Sequence, residues 1–229
     1  MARETLDRKL RHLFDEFLIM DSMVEQAIIE SVDALKLRNL DLAKKVYMGD
    51  ELINKKRFEL ENDILITIAT QQPIMATDLR TMASLLEVTG EMERIGDYAK
   101  GIAKICLRIG QEPHVKPLID IPKMCEIVVD MLHQAITAFV SHDLELSRAI
   151  PSRDNEVDAL YNQVYNDLIQ IMTADITKID NANYLMWVAH NLERMADRVT
   201  NICERSIYII TGQLIEIDKS DDETLLERG

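Results

Sequence analysis

Little in this chain favours sheet or irregular structure. Seven glycines, five prolines and 5% aromatics in 229 residues leave few turn signals and few strand formers. Three cysteines, Cys106, Cys125 and Cys203, form an odd set with no motif spacing, which excludes a disulfide framework and points to buried free thiols. No apolar run approaches the roughly 20 residues that span a bilayer. The start, Met1-Ala2-Arg3-Glu4-Thr5, has no signal-peptide core, so a soluble cytoplasmic chain is expected. Neither a glycine-rich phosphate loop nor a nucleophile elbow is present. Glu-x-x-His, the helical signature of ferritin-like di-iron centres, is absent, and no two of the five histidines stand at ligand spacing. Positive charge is scarce. With 26 Lys and Arg against 40 Asp and Glu, the formal charge is -14. Nucleic acid and an anionic membrane surface would both be repelled, whereas a divalent cation or a basic protein surface would be attracted.

What the chain does have is helical periodicity, twice over. Apolar residues make up 47% of it. Leu85, Val88, Met92, Ile95, Ala99 and Ile102 step by three and four, and Leu185, Val188, Leu192, Met195, Val199 and Ile202 repeat the stripe 100 residues later. Val46, Ile53 and Leu60 are matched by Ile150, Val157 and Val164 at an offset of 104. Breaks near Asn39, Pro73, Glu112, His142 and Lys178 divide the pattern into six helices in two groups of three. The expectation is an all-α protein of two tandem antiparallel three-helix bundles related by internal duplication. Residues 1–110 would form the first bundle, 111–122 a proline-rich linker, 123–212 the second bundle and 213–229 an acidic, frayed tail. Pro151 falls inside the fifth helical pattern and should kink or interrupt it.

Acidic pairs ride on the duplication. Glu93 and Asp97 recur as Glu193 and Asp197, each pair four residues apart and so on one helix face. On the wheel they lie opposite the apolar stripe, which predicts outward-facing side chains. A second set, Asp50 with Asn54 and Asp154 with Asp158, flanks the stripe of the second and fifth helices. If the pairs converge, each half gathers four oxygen-bearing side chains, which suits hard or borderline cations. One Glu-x-x-x-Asp is more often a solvated helix face than a ligand pair; its recurrence at matched positions strengthens a metal role, although on the residues alone the solvated face stays the commoner outcome. The twelve methionines fall mostly on apolar stripes, as core filler.

Several segments together resemble the PhoU family of bacterial phosphate-uptake and phosphate-signalling regulators. They are Ile68-Ala69-Thr70-Gln71-Gln72-Pro73-Ile74-Met75-Ala76-Thr77-Asp78-Leu79-Arg80, then Glu91-Met92-Glu93-Arg94-Ile95-Gly96-Asp97 and Leu192-Glu193-Arg194-Met195-Ala196-Asp197, and finally Asn201-Ile202-Cys203-Glu204 through Gly212-Gln213. The resemblance implies a non-enzymatic negative regulator that links a phosphate ABC transporter, through its ATPase subunit, to a phosphate-sensing histidine kinase. It implies a homodimer that meets the membrane only through partners. It also implies metal ions (Fe, Zn, Mn, Mg or Ca), one site built from Asp50, Asn54, Glu93 and Asp97 and the other from Asp154, Asp158, Glu193 and Asp197. A di-metal oxidase and a metal-free helical scaffold are the competing readings. Metal analysis of the purified protein separates the scaffold from the regulator, and an oxidase assay with ferrous iron tests the enzyme.

Overall fold

The structure, a computed structural model, describes residues 2–71 and 74–217. Pro73, expected in the first turn of the third helix, and the tail from Asp218 onward lie outside the described residues. Among the described residues there is no strand. Seven α-helices follow in order: α1 (Ala2–Leu37), α2 (Leu40–Thr70), α3 (Ala76–Ile109), α4 (Asp120–Ser141), α5 (Leu144–Ala149), α6 (Asp154–Ala174) and α7 (Ile179–Thr211). Helices α1, α2 and α3 pack together as one bundle, and α4, the α5–α6 arm and α7 as the other.

Sequence signals set the helix ends. Asn39 caps α2 by accepting a hydrogen bond from the Leu42 backbone N–H at 3.0 Å. Asp143 does the same for α5, accepting from Leu146 at 3.0 Å. Helix α7 stops at Gly212, which takes a left-handed conformation (φ 73°) and returns its N–H to the Tyr208 carbonyl. Pro151 does interrupt the fifth pattern. A 3₁₀ turn, Ile150–Arg153, separates α5 from α6, so the arm is two helices where one was expected. The linker is shorter than its prolines imply. Helix α4 starts at Asp120, which puts Pro122 in its first turn, where a missing N–H costs nothing.

The apolar stripes are the core. All six residues of the α3 stripe and all six of the α7 stripe are buried, as are Val46, Ile53, Leu60, Ile150, Val157 and Val164. Helices α3 and α7 lie at the centre and make the most extensive contact of any pair, joining the two bundles back to back. A Cβ on Gly101 of α3 would sit 2.8 Å from Asn191 Nδ2 of α7, so the Asn191 amide lies over the glycine. Polar ties cross the same seam. Arg205 Nε is 2.7 Å from Glu87 Oε2, and Glu91 accepts from Asn201 at 3.3 Å.

By length and composition helix α4 could cross a membrane over its most apolar window of 18 residues. Its charges (Asp120, Lys123, Glu126, Asp130) interrupt it, so the helix is apolar without a continuous apolar run, as expected. More than half of that window, 56%, is buried against the other helices, as in the core helix of a bundle. The three cysteines are buried free thiols, as expected.

Candidate metal centres on the bundle flanks

Both acidic sets fall where a central helix meets its neighbour: α3 beside α2, and α7 beside α6. The outward placement needs correction. The side chains of Glu93, Glu193 and Asp197 are only 16%, 17% and 18% exposed, and only Asp97, at 52%, faces solvent. The wheel treats one helix in isolation. Here α3 and α7 are covered on several sides, so positions off the stripe lie in grooves between helices and not on an outer face. Asp50 goes further and is 3% exposed.

In the first half, basic residues knit the acids together. Lys100 Nζ donates to Asp50 Oδ2 at 2.6 Å and stands 3.8 Å from Asp97 Oδ1. Its ammonium therefore bridges a carboxylate of α2 and one of α3. Asn54 Nδ2 also donates to Asp50 Oδ2, at 2.9 Å. Arg57 holds Glu93 at 3.2 Å and Glu61 at 2.7 Å. The hydrogen bond that Lys100 donates to Asp50 raises the Lys100 pKa, while burial and the neighbouring Asp50 raise that of Asp97. Asp50 Oδ1 is buried with no hydrogen-bond donor. Gly96 gives α2 its close approach: a Cβ there would meet the Ile53 side chain at 3.2 Å.

The second half is arranged differently. Burial pushes the Glu193 carboxyl up to about 7, and the charges of Asp197 and Asp158 add to the shift. Glu193 Oε2 is buried without a hydrogen bond. It lies 3.4 Å from Arg194 Nε and 3.5 Å from His190 Nδ1. Asp197 takes an ion pair from Arg194 at 2.8 Å. Asp154 is half-buried, one turn before Asp158 on α6. An aromatic group borders the site. Tyr161 stacks near His190 (6.3 Å between ring centroids), and burial together with Glu193 raises the phenol pKa. Trp187 packs edge-on to the same His190 at 5.4 Å.

The structure thus links Asp50, Asn54 and Asp97 through shared donors, sets Glu93 beside them on Arg57, and couples Asp158, Glu193 and Asp197. Reading the sequence missed Lys100, Arg57, His190 and Tyr161. The signal for Lys100, His190 and Tyr161 was available: each lies within one helical turn of a site acid. Among the described residues no three Asp, Glu, His or Cys side chains are already gathered at metal-binding geometry. The donor set nonetheless fits a cation. It is oxygen-rich, each half holds a buried carboxylate oxygen without a donor, and in the first half an ammonium already bridges two helices.

Comparison with known proteins matches the PhoU domain twice, over residues 17–106 and 121–206, one copy per half. A phosphate-specific transport system accessory protein PhoU homolog of Clostridium acetobutylicum is 34% identical, over 95% of this chain and all of its own. One from Aquifex aeolicus is 31% identical, over 92% of this chain and 95% of its own. Crystal structures carry the same fold. The phosphate transport system regulatory protein PhoU of Streptococcus pneumoniae superposes with a TM-score of 0.86 at 26% identity, covering 93% of this chain and 100% of that one. PhoU of Pseudomonas aeruginosa gives 0.86 at 27%, covering 90% and 99%.

Proposed function

Because the chain belongs to the PhoU family, we propose that it is a cytoplasmic negative regulator of phosphate uptake and phosphate-starvation signalling. In this reading it acts without catalysis, as an adaptor between the ATPase subunit of a phosphate ABC transporter and a phosphate-sensing histidine kinase, and works as a homodimer. The observation that carries the proposal is the double match. Each half that the family covers also carries one acidic cluster, so the acids repeat together with the family match.

The clusters supply the cation-dependent part of the reading. Asp50, Asn54, Glu93 and Asp97 would hold one metal group, and Asp154, Asp158, Glu193 and Asp197 the other. A bound cation would neutralise carboxylates that otherwise repel one another and fix α2 to α3 and α6 to α7. Lys100 and Arg57 already balance part of that charge in the first half, and Arg194 in the second. The flanks so formed are surfaces offered to the transporter ATPase and the kinase.

The test is recovery of partners. Tagged protein isolated from phosphate-replete cells after mild crosslinking should bring down the transporter ATPase and the histidine kinase. Recovery of neither would contradict the adaptor role. Elemental analysis of the same preparation should find metal, and a metal-free preparation that still recovers both partners would remove metal from the role.

A further inference from the structure

A cavity lies away from both acidic clusters, between α1 and α4. It measures about 490 Å³ and runs along the two helices where the bundles meet. His133 Nδ1 of α4 stands 3.3 Å from Glu25 Oε1 of α1 at one end, and Lys36 and Pro122 close the other. From Glu25 to Lys36 the groove follows α1 for three turns, about 16 Å. Its floor is apolar: Ile29, Val32, Pro122, Cys125 and Val129. Ile29 is exposed there, although isoleucine is among the side chains most often buried. Its walls are acidic on both sides, Glu25 and Asp33 from α1 facing Glu126 and Asp130 from α4. Arg153 and Gln134 already hold Asp130. Asp33 and Glu126 have no cationic partner among the described residues. Just beyond the groove, one turn before Glu25, Asp21 is 7% exposed and its Oδ1 has no hydrogen-bond donor.

An apolar floor between two acidic walls selects its occupant. Nucleic acid and anionic lipid carry the sign of the walls. The chain's own tail, Asp218-Lys219-Ser220-Asp221-Asp222-Glu223, is acidic as well, and a second copy would bring a like-charged groove. The Cys125 thiol offers no chemistry, since burial pushes it up to about 12, with Asp33 and Glu126 adding to the shift. A helix with apolar residues at i, i+3 or i+4 and i+7, flanked by Lys or Arg, satisfies both floor and walls. We propose that the α1/α4 groove is a docking site for a basic amphipathic helix of a partner protein. The proposal stands apart from the metal clusters and from the phosphate-regulatory reading.

The probe is a fluorescent synthetic peptide of about four turns, with leucines at i, i+4 and i+7 and lysines on both flanks. Its controls are a scrambled peptide of the same composition and vesicles of phosphatidylglycerol. Anisotropy should show saturable binding of the helical peptide to the full chain and much weaker binding of the scrambled one. Asp33→Lys with Glu126→Lys should weaken binding by roughly tenfold or more. Ile29→Ser, an exposed floor position, should weaken it severalfold. Glu51→Lys with Glu59→Lys makes the same charge change on the exposed face of α2 and should leave binding near the wild-type value. Equal loss in both double variants would reduce the effect to net charge and overturn the proposal. Failure of the helical peptide to bind, or equal binding by the scrambled peptide, would overturn it too. Vesicle binding that is lost in the groove variants would assign the groove to lipid and overturn it as well.

Discussion

Removing the Lys100 ammonium with Lys100→Met tests how the first cluster is held. The change leaves the aliphatic stem but strips Asp50 of its 2.6 Å donor. Asp50 is 3% exposed, its Oδ1 already lacks a donor, and Asn54 alone remains on Oδ2. Breaking a fully buried pair costs about 3–5 kcal/mol. The Lys100 side chain is 33% exposed and Asn54 still donates, so about 2 kcal/mol is expected here. The sign with pH is fixed by the raised Lys100 pKa. A base whose folded pKa is raised contributes stability that is complete below its unfolded value and is lost only as pH rises through the folded one, so the full effect is present at pH 7. Urea denaturation followed by circular dichroism measures it. Asp50→Asn in the same chain removes the stranded charge and should recover most of the loss, giving a coupling of about 1–2 kcal/mol in the double-mutant cycle. A Lys100→Met chain as stable as wild type, or additive effects in the cycle, would refute the argument that this ammonium is the counter-charge of a buried carboxylate.

In protein stripped of metal, Glu193 should lower stability as pH rises. Its carboxyl is raised to about 7, so between the unfolded value near 4.5 and 7 the native state holds the proton more tightly than the unfolded chain does. Glu193→Gln should remove that slope and stabilise the protein above pH 7 by up to about 3 kcal/mol; an unchanged pH profile would refute it. Glu193→Ala with Asp197→Ala should cost one metal group by elemental analysis, with the helical circular dichroism signal kept, because neither residue belongs to the α7 stripe. Unchanged metal content would refute the ligand assignment. Gly96→Val should destabilise by about 1–3 kcal/mol, because even a Cβ meets the buried, β-branched Ile53 side chain at 3.2 Å; a neutral effect would show that α2 and α3 are not packed this closely.

Much of this was legible in the residues. The stripes through Leu85 and Leu185 declare their burial because a helix with one apolar face must cover it, and the residues on them are buried without exception. Pro151 declares the break in the fifth pattern because it cannot donate a helical hydrogen bond. The matched offsets tie Asp50 to Asp154 and Asp97 to Asp197, but that Asp50 meets Asp97 could not be read from either helix alone. That Lys100 reaches across to Asp50 depends on how α2 crosses α3, which no single-helix pattern encodes. The outward reading of Glu93 and Glu193 failed for the same reason. Helix α3 packs against α1, α2 and α7, so the flank of its wheel is interior to the assembly. The groove between α1 and α4 was invisible too, since its two walls lie about a hundred residues apart in the chain.

The central claim is that this chain restrains phosphate-starvation signalling through its acidic flanks. The most direct measurement deletes the gene in its own host and follows a phosphate-starvation reporter in phosphate-rich medium. The account predicts that the reporter rises, that the wild-type chain silences it, and that a chain carrying alanine at Glu93, Asp97, Glu193 and Asp197 does not. A reporter that stays silent after deletion would contradict the regulatory role, and full silencing by the alanine chain would contradict the role given to the acidic clusters.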